Sequence, residues 1–230
     1  MENILQKLNE KQVEAVKTVK GPVLVISGPG SGKTRCLTHR IAYLISSGIN
    51  PEDILAVTFT NKAADEIKER IKVLLQDAKQ EARNNRFGVS PMVGTFHSVC
   101  LKILRREISL LGYKPSFTVF DEDDRLSLIK RTLANLEIDA KRYNPQMFVR
   151  KISKLKTELI YPENYKSYDF FTRLLSRIYG NYQTELKNAN ALDFDDLIAL
   201  TVRIFKNYPE VLDQYQDRWK YLLIDEYQDT

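Results

Sequence analysis

Two short stretches at opposite ends of the chain carry residue types that could do chemistry together. The first is Ser27-Gly28-Pro29-Gly30-Ser31-Gly32-Lys33-Thr34. Its glycines let the backbone wrap a phosphate with N–H groups pointing inward, where a Cβ would collide. Lys33 supplies a mobile cation for the outer phosphates, and Thr34 a hydroxyl for Mg²⁺. The usual pattern, G-x-x-x-x-G-K-[ST], opens on glycine where this chain has Ser27; Gly28 and Gly30 supply the flexibility instead. The second stretch is Asp225-Glu226, at the end of the apolar run Tyr221-Leu222-Leu223-Ile224. Adjacent acids closing a buried strand are unfavourable unless they have a cation or a proton to handle. Beside a phosphate loop the two jobs are an aspartate that holds Mg²⁺ and a glutamate that activates the attacking water. The expected catalytic set is therefore Lys33, Asp225 and Glu226, with Thr34 and Asp225 as metal ligands.

The flanking elements suit these roles. Val23-Leu24-Val25-Ile26 reads as a short strand before the loop, and Leu37, Ile41, Leu44 and Ile45 follow at helical spacing with the helix opening near Gly32. Ahead of them, Asn9 is a good N-cap for a helix carrying Gln12, Val13, Val16 and Val19, stopped by Gly21-Pro22. Ile54 to Phe59 reads as a buried strand, and Thr60-Asn61-Lys62-Ala63-Ala64 opens a helix with Ile67, Ile71, Leu74 and Leu75 as its stripe. Strand, turn and helix repeated in this way predict a parallel sheet with helical crossovers, whose ligands gather at the carboxyl ends of strands. Gln76 to Pro91 is polar and reads as a loop. Met92 to Phe96 is the third strand candidate, followed by His97-Ser98 and a helix through Leu101, Leu104 and Ile108.

From Gly112 to Asn190 the pattern changes to helices without clear strands, at Asp123–Leu136, Pro145–Leu159 and Tyr168–Ala189. Inside this block Lys141, Arg142, Arg150, Lys151, Lys154 and Lys156 occur with no acid between Lys141 and Thr157. Such a run is a solvated helix face or a contact for phosphate backbone. Tyr161, Tyr165, Tyr168, Tyr179 and Tyr182 read as core and boundary residues. In Asp193-Phe194-Asp195-Asp196, Asp193 reads as an N-cap and the other two acids as first-turn residues favoured by the helix dipole, not as a metal site.

The 230 residues carry 35 Lys plus Arg against 30 Asp plus Glu, a formal charge of +5 that permits an anionic partner without demanding one. Two cysteines, Cys36 and Cys100, lack the spacing of a zinc site or a disulfide framework. With no signal segment and no membrane-length apolar run, the expectation is a soluble cytoplasmic protein.

Taken in order, these segments resemble the N-terminal part of UvrD/Rep/PcrA-type superfamily 1 DNA helicases, from about Leu8 to Thr230. Leu8-Asn9-Glu10-Lys11-Gln12 resembles the family's Q motif, which implies that Gln12 reads adenine. Ser27 to Thr34 resembles the first motif, where a small residue commonly replaces the leading glycine. Arg35 stands where the family has an arginine near the nucleotide, so Gln12 and Ser27 through Arg35 form the implied ATP site. Ala56 to Ala64 resembles motif Ia, and Gly94-Thr95-Phe96-His97-Ser98 a further DNA-contacting motif. Together they imply DNA contacts at Phe59, Thr60, Asn61, Thr95 and His97. Asp193-Phe194-Asp195-Asp196-Leu197 is similar to the segment preceding motif II, and Leu223 to Thr230 to motif II itself.

The resemblance implies a RecA-like P-loop NTPase fold of class α/β. Its ATP-binding domain would take residues 1–111 and 191–230, with an inserted helical subdomain at 112–190. It further implies ATP and Mg²⁺ as cofactors and single-stranded DNA and single-strand/duplex junctions as partners. Translocation would run 3′ to 5′, with a second motor domain C-terminal of residue 230, and these residues alone would unwind nothing and hydrolyse ATP poorly. A fragment that binds nucleotide or DNA without turnover is the rival reading. A GTPase is disfavoured because in Asn61-Lys62-Ala63-Ala64-Asp65 the acid falls one place late for guanine recognition.

Overall fold

The computed structural model describes residues 2–6, 8–79 and 90–229. The chain forms two compact units, one of residues 1–99 and 213–230, the other of residues 100–212. The second unit is broader than the 112–190 block expected from the sequence. It takes in most of α5, which starts at Phe96 and runs to Glu107, and the segment from Ala191 to Leu212.

The first unit holds α1 (Glu2–Leu5), α2 (Glu10–Lys17), α3 (Lys33–Ser46), β1 (Ile54–Thr58), α4 (Asn61–Lys79) and β2 (Met92–Thr95). Asn9 caps α2 reciprocally with Gln12, as its type and position lead one to expect. β1 is buried along its whole length and pairs in parallel with β2 on one side. On its other side it pairs in parallel with the last strand of the fold, Tyr221–Ile224, giving a three-stranded sheet with β1 in the centre. Ile41, Leu44 and Ile45 of α3 and Ala64, Ile67 and Ile71 of α4 pack with Ile54, Ala56, Val93 and Leu223 of the sheet as one core. The parallel sheet with helical crossovers is therefore present.

Val23–Ile26 does not form a strand. β1 already has a neighbour on each edge, so another strand can join only at β2 or at Tyr221–Ile224, and the run pairs with neither. Its side chains stay in solvent, Leu24 at 66% and Ile26 at 86% exposure. At the other end of the sheet, α4 extends to Lys79, past the predicted start of the loop at Gln76. The rest of that loop, from residue 80 to 89, lies outside the described residues.

The second unit contains β3 (Thr118–Phe120), α6 (Glu122–Asn135), α7 (Pro145–Thr157), α8 (Phe170–Asn188), β4 (Ala191–Asp193) and α9 (Phe194–Asn207). The predicted helices are there within a few residues. The strandless reading fails at one point, since Thr118–Phe120 pairs in parallel with Ala191–Asp193. Three residues are too short for the period of two to be visible in sequence. Phe148, Ile152, Ile178, Tyr179, Tyr182 and Leu186 are central to this unit's core, while Tyr168 is 81% exposed. α10 (Pro209–Arg218) starts just before the chain passes into the first unit and leads to β5, the strand Tyr221–Ile224.

Lys156 also departs from the solvated-face reading. It is only 2% exposed, and its Nζ lies 2.7 Å from both Asp193 Oδ2 and Asp196 Oδ1. Asp193 caps α9 and accepts from the Tyr182 hydroxyl at 2.8 Å, while Arg125 Nη2 pairs with Asp195 at 2.8 Å. Asp193 is thus the expected N-cap, and in addition the anionic centre of a buried network. The helical period puts Lys156 on the same face as Val149 and Ile152, which a count of charges along the sequence does not reveal.

Candidate functional site

The parallel register brings the ends of β1, β2 and β5 to one rim. Thr58 pairs with Thr95, and Val57 with Ile224, so Phe59-Thr60-Asn61, Phe96-His97 and Asp225-Glu226 all leave the sheet on the same side. The Asp225 N–H continues the ladder by donating to Val57 O at 2.9 Å. This holds the carboxylate at the strand end.

The glycine-rich loop reaches that rim through its last residue. Thr34 Oγ1 donates to Asp225 Oδ2 at 3.2 Å, across 191 positions of sequence. Gly30 and Gly32 have φ of 74° and 87°, the left-handed region where a side chain is disfavoured. At Gly32 a Cβ would also come within 3.1 Å of Gln12 Nε2. Gly32 is the N-cap of α3 and bonds no side chain, so the first N–H groups of this fourteen-residue helix remain available to an anion. Ser27, the departure from glycine, accepts from Ser31 Oγ at 2.7 Å and gives the loop an internal brace. Lys33 Nζ donates to Ser27 O at 3.2 Å. Gln12 Nε2 donates to Ser31 O at 3.0 Å, so α2 touches the loop directly.

A cleft of about 560 Å³ runs along the loop, lined by Ser27, Pro29 to Arg35, Glu226 and Gln228. That volume lies within the range of small-molecule sites. Glu66 and Arg70 of α4 also line it, and they pair with each other. Neither was found from the sequence. The one available signal, their i,i+4 spacing, is shared by any solvated helix face.

Asp225 is 5% exposed, and burial pushes its carboxyl above the ordinary aspartate range. The neighbouring Glu226 charge adds to this, and the Thr34 hydrogen bond opposes it. Glu226 sits at φ 53°, unusual for a non-glycine residue, and its Oε2 accepts from Gln228 Nε2. The strained backbone and the amide partner fix where this carboxylate points. Among the described residues no group of three His, Cys, Asp or Glu could hold a metal ion. Thr34 and Asp225 offer two hard oxygens, which suits Mg²⁺, an ion that completes its shell with phosphate and water.

The remaining candidates differ in exposure. Phe59 is 41% exposed and packs against Phe96, with ring centroids 5.3 Å apart. Thr60 Oγ1 accepts from Ala63 N at 3.1 Å, and Asn61 is exposed beside it. Thr95 is 6% exposed, and its hydroxyl accepts from Ser98 N at 3.1 Å, so it caps α5 beneath the surface. His97 is half-buried, and Arg35 is exposed at the cleft.

A family model described as the UvrD/REP helicase N-terminal domain matches residues 8–230. The chain is 44% identical over 233 aligned positions to the ATP-dependent DNA helicase PcrA of Staphylococcus aureus, in strains Mu50 and NCTC 8325. It is equally similar to the PcrA of Staphylococcus epidermidis. In each case the alignment covers 100% of this chain and 31% of the relative's length. No described helix is long and apolar enough to cross a membrane. With motif order, sheet register and whole-chain identity in agreement, the chain belongs to the UvrD/REP helicase N-terminal domain family.

Proposed function

We propose that this chain is the ATP-binding part of a DNA helicase motor that moves 3′ to 5′ along single-stranded DNA and opens duplex at a junction. Its first unit would be a RecA-like lobe, its second an inserted helical subdomain, and a second motor domain would follow residue 230. The observation that carries this reading is the Thr34–Asp225 hydrogen bond, which joins the phosphate loop to the acidic end of β5.

In this reading Gly28 to Thr34 hold the phosphates of ATP through backbone N–H groups, and Lys33 turns from the Ser27 carbonyl to the outer phosphates. Thr34 and Asp225 would hold Mg²⁺, which supplies neutralisation of phosphate charge when bound. Glu226, aimed by Gln228, accepts the proton of the attacking water. Gln12 and Arg35 flank the loop where the base and ribose would lie. Phe59, Thr60, Asn61 and His97 form the DNA-facing rim, with Thr95 setting the start of α5 beneath it.

ATP turnover by the chain, with and without single-stranded DNA, tests the proposal. DNA-stimulated hydrolysis is expected, to be lost in Lys33→Ala and reduced at least about a hundredfold in Glu226→Gln, the scale of a missing general base. Turnover unchanged in both variants would overturn it. Nucleotide binding without any turnover would favour the inert-fragment reading.

A further inference from the structure

The start of α8 presents two large aromatic side chains to solvent. Tyr168 is 81% exposed and Phe170 66%, more than any other ring described in the second unit. They flank Asp169, whose carboxylate caps the helix by accepting from the Thr172 N–H at 2.7 Å. The Tyr168 and Asp169 N–H groups both donate to Thr172 Oγ1 at 3.0 Å. This cap fixes the local backbone, so the two rings stand on a rigid base, and the acid between them is already engaged.

Cations surround the pair. The next ring, Phe171, stacks on Phe148 of α7 with centroids 6.1 Å apart, and Lys151 Nζ lies 5.4 Å over it. That contact brings a basic residue of α7 to the aromatic start of α8. Lys166 precedes Tyr168 by two positions, and Arg173 follows Phe170 by three, on the same face of the helix.

Lys151, Lys166 and Arg173 are all exposed, and none forms an ion pair among the described residues, although the Arg173 charge does act on Asp169. The other acids nearby in sequence are committed elsewhere, Glu158 to Lys154 at 3.7 Å and Glu163 to Arg203 at 2.7 Å. Cations without acidic partners beside open rings suit a polyanion that also carries flat faces.

We propose that the start of α8 is a second contact for single-stranded nucleic acid, where Tyr168 and Phe170 stack on unpaired bases while Lys151, Lys166 and Arg173 meet the flanking phosphates. That the polyanion is a nucleic acid rests on the helicase reading above. Its being single-stranded rests on the rings, since bases inside a duplex are closed to such stacking. The experiment irradiates the full chain bound to a single-stranded oligonucleotide carrying 5-iodouracil, and mass spectrometry identifies the joined residues. Crosslinks are expected at Tyr168 or Phe170 as well as at Phe59. Crosslinks confined to Phe59 and its neighbours would overturn this proposal and leave the helicase reading in place; none anywhere would leave neither standing. Replacing both rings, Tyr168→Ala with Phe170→Ala, should weaken binding of an oligothymidine at least about fivefold, the lower end for one aromatic–base stack. An abasic strand of the same length, which keeps the phosphates and lacks the bases, should lose less than about twofold. Equal losses for the two strands would also overturn the proposal.

Discussion

Gln12 and Ser31 are joined by a hydrogen bond of 3.0 Å that ties α2 to the phosphate loop. The same carboxamide accepts from the Asn9 N–H through Oε1 at 3.1 Å, so both of its ends are in use. A residue implied to read the adenine base is thus also part of the loop's support. Gln12→Ala should weaken ATP binding about tenfold and GTP binding by no more than about threefold, from one lost hydrogen bond plus base recognition. Equal losses for both nucleotides, measured by fluorescent-nucleotide displacement, would assign Gln12 to the loop alone.

The buried network around Lys156 should dominate the pH dependence of the second unit. Burial pushes Asp196 up to about 6, with the Asp193 charge adding to the effect and Lys156 opposing it. Asp193 is held below the ordinary range: burial works to raise it, but Lys156 and Arg125 prevail. Between pH 6 and the ordinary aspartate value the folded chain binds a proton at Asp196 that the unfolded chain does not, so stability rises as pH falls through that window. Below it, Asp193 is protonated in turn and its contribution is lost. Melting temperature should therefore be higher near pH 5 than at pH 7, and Asp196→Asn should flatten that difference. Lys156→Ala, which strands two buried acids, should cost about 3–5 kcal/mol by denaturant unfolding.

Phe59 should matter for DNA far more than for folding. Its ring is partly open and rests on Phe96, an arrangement that leaves a face for a base. Phe59→Ala should weaken single-stranded DNA binding by about 1–3 kcal/mol, as for other aromatic–base stacks, with the melting temperature little changed. Fluorescence anisotropy with a labelled oligonucleotide reads the first quantity and calorimetry the second.

Arg150, Lys151 and Lys154 stay exposed on α7, whereas Lys156 on the same helix does not. If the exposed three meet DNA phosphates, replacing all of them with Ala should flatten the slope of log affinity against log salt by about 2, given roughly 0.7 per single-strand contact. A slope equal to that of the unaltered chain would leave the run as a solvated face.

Much of the lining of the cleft beside the glycine-rich loop was legible because its residues are local signals. A Gly-Lys-Thr run, a strand closing in Asp-Glu and an Asn N-cap each declare themselves within a few positions, whereas the return bond from Gln12 to Asn9 appears only in the structure. The sheet register then brings the distant ones together, as Val57 opposite Ile224 does for Asp225. What escaped depends on pairing at a distance. Val23–Ile26 has a strand's composition, but a strand exists only with a partner. Lys156 looked like one more surface cation until α7 turned it toward Asp193 and Asp196. Glu66 and Arg70 become cleft residues only because α4 packs beside the loop's helix.

The apolar run Val23–Ile26 also bears on how this chain behaves in solution. It leaves four consecutive aliphatic side chains in water, and β5, an outer strand of the sheet, carries Leu222 at 59% exposure. Open strand edges and exposed aliphatic runs are templates for sheet growth between molecules. Concentrated solutions should therefore self-associate reversibly, with an apparent mass that climbs with protein concentration, and a lysine at Leu24 should keep the chain monomeric.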